Sequence, residues 1–480
     1  MSIVGRGRIE RAADQPLFAS RAGAAVLLGL AVFGACLFGI YTRPIGFLAA
    51  VWPANAIMLG MLIRVPNSAN MLGWACATIA YLFADLLTGS SPLKALILNS
   101  ANLLGVATAY LICQRFPTDV LRFRTPVAML YIVVASAAAG AMAGVVGGLA
   151  NPVLFDRSAM SGLVFWFVTE LVNYVLILPV ILSAPPLSAF VERRNIAPSI
   201  KRTHVLPIVA LALSGLTAVL IGGPGAIAFP VPALLWCGLV YRTFPTAILT
   251  LAFGVWTLGI ISAGYIPNPT QAESEMMLVS VRLGASLIAL APVMLASVMA
   301  HRNELLDKMR HLATHDPLTG AVSRSAFLEH STQILHEGQG SLAVLMIDLD
   351  HFKAVNDRFG HATGDRILVV FAKRAAACLR PDDVFGRLGG EEFAATIDNC
   401  GEAEAIGIAN RIRAAASEPI PVDDGESLTI TVSVGLTIVH DRDNSAIEPI
   451  LSEADRLLYL AKTRGRNRVE VSVQPRRLPD

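Results

Sequence analysis

Ten apolar runs, each near the length of a bilayer-crossing helix, fill most of the first 300 residues. A helix needs about 20 predominantly apolar residues to cross the hydrocarbon core of a membrane. The runs centre near residues 31, 54, 78, 102, 138, 172, 213, 233, 253 and 290. The two covering 226–264 are interrupted by Pro230, Pro232 and Pro245, which neighbouring helices can accommodate by re-satisfying the freed backbone groups. Hydrophobic residues make up 54% of the 480 and charged residues 15%, where a soluble protein carries about 25%.

The charge deficit is not uniform. Residues 1–300 hold 17 Lys/Arg and 9 Asp/Glu, whereas residues 301–480 hold 21 and 27. A net charge of +2 therefore hides two materials, a membrane half and a soluble half. The expected organisation is a cytoplasmic segment (1–20), a multi-span membrane bundle (21–300), a helical connector (301–314), an α/β sandwich domain (315–472) and a tail (473–480). No cleavage signature precedes the first run. Arg6, Arg8, Arg11 and Arg21 flank it instead, as in an uncleaved membrane protein. Among the six cysteines no C-x-x-C pair occurs, so buried free thiols are expected.

With ten spans, the loops on the side of the termini carry Arg64, Arg115, Arg122, Arg124, Arg193, Arg194, Lys201, Arg202 and Arg242. The opposite loops carry Arg43, Lys94 and Arg157, with Glu273 and Glu275 in the last. The positive-inside rule then sets both termini in the cytoplasm. Eight spans give the same parity. Asp85, Glu170 and Arg282 fall at membrane depth, where a charge must be paired, hydrated or functional. Asn55, beside Trp52 and Pro53, joins Asn99 and Asn102 as polar groups suited to binding helices together. The stretch VWPANAIMLGMLIR (51–64), followed by Ala84-Asp85-Leu86-Leu87-Thr88-Gly89, resembles the MASE-type bacterial membrane sensors. That resemblance implies a sensory module in the inner membrane. A transporter with a regulatory appendage is the competing reading.

The connector reads HRNELLDKMRHLAT, with Leu305, Met309 and Leu312 at four-then-three spacing. This is a helical seam suited to pairing with its copy in a second subunit, or to lying on its own domain. Beyond it, Leu342–Ile347 is a short apolar run typical of a buried strand, ending in Asp348-Leu349-Asp350. A helix is expected over about 363–379. A hairpin follows, Val384–Ile397, turning at Gly389-Gly390-Glu391-Glu392. Helices over 402–417 and 447–463 flank a strand from Leu428 to Val439. Alternating strands and helices predict an α/β sandwich.

Strand ends and hairpin tips on one sheet can gather Asp348, Asp350, Glu391 and Glu392. Hard carboxylate oxygens suit Mg²⁺, which typically bridges one or two carboxylates and substrate phosphates. Gly389 and Gly390 let a phosphate approach the backbone, and Lys353, Lys462 and Arg466 can offset its charge.

Residues 315–470 resemble the GGDEF family of diguanylate cyclases along their whole length. The motifs are Arg387-Leu388-Gly389-Gly390-Glu391-Glu392-Phe393, Asp348 through Asp357, Phe359-Gly360-His361, Gly364-Asp365, Ser433-Val434-Gly435, Ala454-Asp455 through Asn467, and the opening Asp316-Pro317-Leu318-Thr319-Gly320. Ser323 stands before Arg324 where the family usually has Asn. The resemblance implies a homodimer that condenses two GTP into cyclic di-GMP and two pyrophosphates, with no nucleic-acid partner. Mg²⁺, or Mn²⁺, would bind Asp348, Glu391 and the Leu349 carbonyl. Asn356 and Asp365 would read guanine. Lys353, Lys462, Arg466 and the backbone N–H groups near His351 and Phe352 would hold phosphates. Glu392 would support the metal site or the attacking 3′-hydroxyl. Arg380-Pro381-Asp382-Asp383 matches the family's R-x-x-D inhibitory motif, so Arg380, Asp383 and Arg411 would grip the product. A non-catalytic GTP-binding regulatory domain is the alternative, and the presence of Asp348, Glu391 and Glu392 argues against it. No phosphodiesterase partner domain is expected, since only about ten residues follow the last motif.

Overall fold

The structure, a computed structural model, describes residues 20–42, 51–186, 202–262, 271–338, 340–421, 427–440, 442 and 446–474. Arg6, Arg8, Arg11, Arg43, Arg193, Arg194 and Lys201, which entered the topology argument, lie outside these residues, as does the end of the tail. The chain divides into two compact units, residues 1–304 and 305–480.

The first unit is helical: α1 Arg21–Tyr41, α2 Ala54–Arg64, α3 Met71–Leu87, α4 Pro92–Cys113, α5 Ala128–Phe155, α6 Ala159–Ser183, α7 Arg202–Ile221, α8 Val231–Val240, α9 Thr243–Ser262 and α10 Gln271–Thr314. Helices occur at all ten expected positions. Among the described residues seven are long and apolar enough to cross a membrane, and those at 54–64, 71–87 and 225–240 are shorter. Proline explains two of the three. Pro53 caps α2 and Pro66 follows it, while Pro230 caps α8, and proline cannot be carried inside a helix without losing a hydrogen bond. Ten full-length spans are therefore not what the described residues present.

Helices α5 and α6 approach closely through glycine. A β-carbon on Gly140, Gly144 or Gly148 would come within 2.9 Å of a backbone carbonyl of α6, the small-residue contact typical of membrane helix pairs. The asparagines do link helices: Asn55 Nδ2 donates to Asn102 Oδ1 at 3.0 Å and to Glu170 Oε1 at 2.8 Å. All six cysteines are free thiols.

The second unit is built on a six-stranded mixed sheet of order β1-β3-β4-β2-β7-β8. Its elements are β1 Val322–Ser323, α11 Arg324–Glu337, β2 Leu342–Leu349, α12 Phe352–Phe359, α13 His361–Ala377, β3 Val384–Gly389, β4 Glu392–Ile397, α14 Glu402–Ala416, β5 Ile420–Pro421, β6 Ser427–Leu428, β7 Val432–Val439, α15 Ile447–Thr463 and β8 Val469–Gln474. Strand β2 is buried on both faces, which is why it reads as a continuous apolar run. The period of two divides it. Ala343, Leu345, Ile347 and Leu349 pack with Ile367, Phe371 and Ile412 of α13 and α14. Leu342, Val344 and Met346 face α11 and α15.

The expected strand from Leu428 to Val439 is two elements. β6 pairs with β5 in a separate ribbon, and β7 enters the main sheet beside β2. The break lies where Thr431 turns its hydroxyl to Asp350, at 2.7 Å.

Candidate active site

The alternation that buries β2 carries Asp348 onto the α15 face at the strand's end. There it stands opposite Glu392, the first residue of β4, in the antiparallel register. Glu391 occupies the turn just before, and its carbonyl accepts from Leu349 N at 3.4 Å. Asp348 is only 6% exposed. Burial pushes its carboxyl above the usual carboxylate range. The ion pair with Lys462 opposes this, and the neighbouring charges of Glu391 and Glu392 add to it. Lys462 Nζ, from the last turn of α15, lies 2.8 Å from Asp348 Oδ2.

The signature turn is held from below by Arg387. Its Nε and Nη2 donate to the Gly390 carbonyl at 2.9 and 2.7 Å, and its Nη1 to Asp316 Oδ1 at 2.9 Å. Gly390 sits at φ 48°, a left-handed conformation natural to glycine. Asp316 follows α10 by two residues and also accepts from Thr319 N and Oγ1. Burial raises its carboxyl, but these hydrogen bonds and the Arg387 charge outweigh it and hold the group below its ordinary value. A carboxyl depressed in the fold contributes stability above its unfolded value, and that stability is lost as pH falls through the depressed value. Arg387→Ala should therefore lower stability by about 1–3 kcal/mol near neutral pH. It should also remove this part of the acid sensitivity, which thermal melts across an acidic pH series would check.

Asp350 does not join Asp348. It is 4% exposed, and donors already occupy it: Thr431 Oγ1 and Ser433 Oγ at 2.7 Å and Asn467 N at 3.1 Å. It clasps the turn after α15, where Arg466 and Asn467 adopt φ 61° and 47°. Arg466 is thereby held at a defined backbone position near the strand end that Lys462 reaches.

A second cluster forms where α12 meets α13. His351, at φ 58°, caps α12, and the first turn of a helix leaves N–H groups without intrahelical partners. The Phe352 ring is core, so only its backbone is available to a ligand. Lys353 and Asp365 are exposed. Asn356 Oδ1 is buried and has no hydrogen-bond partner. A β-carbon on Gly364 would lie 1.9 Å from that oxygen. A polar cradle kept open by glycine, with an orphan amide oxygen inside, suits a ligand that brings its own donors.

Arg380, Asp383 and Arg411 form a third group outside the first two. Arg380 N donates to Asp383 Oδ2 at 2.8 Å, and the Arg380 guanidinium pairs with Glu404 of α14. Arg411 Nη2 donates to the Cys378 carbonyl at 3.0 Å. Burial raises the Asp383 carboxyl, and the Arg380 backbone hydrogen bond and charge oppose it. Glu404, on the same helix as Arg411, also meets this group through Arg380, and no motif in the sequence pointed to it.

Asp348 stands opposite Glu392 with the charge of Glu391 beside it, and hard carboxylate oxygens are donors of the kind Mg²⁺ takes. Among the described residues no group of three acidic, histidine or cysteine side chains is placed to hold a metal ion.

The family model described as "Diguanylate cyclase, GGDEF domain" matches residues 313–468. The chain is 28% identical over 440 residues to the probable diguanylate cyclase DgcF of Escherichia coli O157:H7, covering 90% of each protein. It is 31% identical over 313 residues to DgcF of Escherichia coli strain K12, covering 63% of this chain and 95% of that one. The coiled coil and GGDEF domain of DgcB from Caulobacter crescentus, solved with c-di-GMP, is 29% identical, with a TM-score of 0.34, over 36% of this chain and 92% of that one. With the signature turn, its three carboxylates and a relative matched over nearly its full length, the chain belongs to the GGDEF family and is a diguanylate cyclase.

Proposed function

We propose that this protein is a membrane-bound enzyme that joins two GTP into cyclic di-GMP, with its rate set by the helical unit and by the product. The single observation that carries the catalytic part is the cross-strand register of Asp348 with Glu392, beside Glu391 and Lys462. The reaction forms a bond from each ribose 3′-oxygen to the α-phosphorus of the other GTP. Each step breaks the α–β phosphoanhydride, releases pyrophosphate and frees the 3′-hydroxyl proton. Asp348 and Glu391, with the Leu349 carbonyl, are the groups that would hold Mg²⁺, which supplies charge neutralisation at the phosphates and acidifies the attacking hydroxyl. Glu392 is exposed at the start of β4, and supports the metal site or the attacking 3′-hydroxyl. Lys462 shares Asp348 and can turn to the phosphates when that carboxylate is otherwise engaged. Lys353, Arg466 and the first turn of α12 complete the phosphate contacts. Asn356 and Asp365 select guanine, supported by the orphan Asn356 oxygen.

One domain holds one GTP, so two copies must face each other. Leu305, Met309 and Leu312 are exposed on α10, and their spacing supports helix pairing between subunits. Among the described residues, seven helices long and apolar enough to span a bilayer support attachment to the inner membrane.

The test is direct. Detergent-solubilised full-length protein incubated with GTP and Mg²⁺ should yield cyclic di-GMP with two pyrophosphates for each product, and ATP should be a poor substitute. GTP binding without turnover would instead support the non-catalytic alternative. For feedback, Arg380→Ala should raise the product concentration needed for half-inhibition by about 10- to 100-fold, the value of charged hydrogen bonds lost. The initial rate should stay near wild type. Rate measurements at increasing added cyclic di-GMP check this.

A further inference from the structure

Two carboxylates are buried in the helical unit without an ion-pair partner among the described residues. Glu170 of α6 is 2% exposed and Asp85 of α3 is 4% exposed. A chain of amides joins them. Asn55 of α2 donates to Glu170 Oε1 and to Asn102 Oδ1 of α4. Asn102 donates to Asn99 at 3.2 Å, and Asn99 to Asp85 Oδ2 at 2.8 Å. Tyr81 of α3 donates to Asn55 Oδ1 at 2.5 Å.

Every amide in the chain is engaged, yet each end is incomplete. Glu170 Oε2 and Asp85 Oδ1 are buried with no hydrogen-bond partner. Tyr174, one helical turn beyond Glu170 and 0% exposed, carries an orphan hydroxyl as well. Residues four apart lie on one helix face, so an orphan acceptor and an orphan donor share that face. Neutral amides cannot cancel a negative charge, and an uncompensated carboxylate in an apolar interior costs far more than a fold can spare.

We propose that Asp85 and Glu170, at the two ends of the Asn99–Asn102–Asn55 chain, are binding positions for small monovalent cations, a proton or an alkali-metal ion, with the orphan oxygen of each carboxylate as the open ligand. The site rests on the reading above that this unit lies in a membrane and regulates the cyclase. Its other titratable or charged neighbours are Tyr81, Tyr174 and the thiols of Cys36 and Cys113, together with Arg282 of α10. The Arg282 guanidinium donates to Thr169 Oγ1, next to Glu170 in α6, and lies 4.5 Å over the Phe165 ring. Thr169 ties Arg282 to the residue next to Glu170, so a change in packing around Glu170 can reach α10 through this hydrogen bond. Arg282 sits on the same helix that runs on to Thr314.

The experiment uses the full-length protein in lipid nanodiscs, with N-methylglucamine as the inert cation. The thermal midpoint of the helical unit is followed by tryptophan fluorescence against pH, and then against sodium at fixed alkaline pH. Cyclase rate is measured on the same samples. A proton held only in the fold stabilises below the site's titration and is lost as pH rises through it. The wild-type midpoint should fall by about 2–4 °C per pH unit on the alkaline side, and sodium should restore it if the site takes alkali-metal ions. Glu170→Gln and Asp85→Asn should each flatten the profile, whereas Glu170→Asp should retain it. A wild-type midpoint that responds to neither cation overturns the proposal whether or not the variants fold. So does a response that both neutral variants preserve. A midpoint that follows the cation while the cyclase rate does not supports the site and counts against the regulatory reading.

Discussion

Replacing Glu391 by alanine in the full-length protein is expected to lower cyclic di-GMP synthesis by at least about 10²–10³-fold, the scale on which loss of one preorganised electrostatic group at a transition state is felt. The fold should stay intact. Glu391 lies in the turn between β3 and β4 and supplies no core contact, and Arg387 holds that turn through the Gly390 carbonyl. Asp348→Asn should lose activity to a similar degree for a different reason. The amide keeps the size of the carboxylate at the end of β2 but removes a hard anionic donor and the ion pair with Lys462. Asn is the informative substitution here. Alanine would in addition leave a void at this buried strand end and confuse packing with chemistry. Initial-rate measurements with GTP, together with thermal melts of each variant, check both expectations.

Gly364→Ala should be nearly as severe, at a residue that touches no reacting atom. The added methyl would lie 1.9 Å from Asn356 Oδ1 and 3.2 Å from the Phe352 ring. Phe352 is fixed in the core, so Asn356 must yield and its amide leaves the position proposed for reading the base. The loss of one buried hydrogen bond to guanine corresponds to an increase in KM for GTP of about 10- to 100-fold. The value of kcat at saturating GTP should change much less, because the carboxylates are untouched. Discrimination against ATP should weaken in the same variant. A KM at the wild-type value would show that Asn356 does not read the base.

Much of this arrangement was legible because it is local. The period of two along Leu342–Leu349 decides which face of β2 carries Asp348, and the glycine turn decides where Glu391 stands. The helix over 447–463 was readable to the residue, because its apolar spacing is regular. What the sequence withheld is non-local. Asp350 has the same residue type and motif as Asp348, but its partners come from β7 and from the turn after α15. No spacing rule separates a carboxylate consumed by the fold from one left for chemistry. Arg387 stood in the quoted motif without a role because its second partner, Asp316, lies 71 positions away. Glu404 entered the Arg380 group for the same reason. Among the described residues the hydropathy pattern located α1 to α10 but not the short helix Thr118–Leu121, and it averages over the prolines at which α2 and α8 begin.

The central claim is that one cyclase domain is half a site and that α10 sets how two halves face each other. Helix α10 runs 44 residues, from Gln271 to Thr314, and its end is fastened to the domain it precedes. Ser323 Oγ donates to the Ala313 carbonyl at 2.8 Å, and Asp316 is bound to Arg387 below the signature turn. Each residue inserted near His311 should turn the following domain by about 100° if the helix continues through it. The measurement is cyclase rate in membranes for a series of one-residue increments at that point. Activity that falls and returns as the insert completes a helical turn is the predicted result. A rate that stays flat, or that declines steadily with length, would contradict it and leave α10 a passive tether.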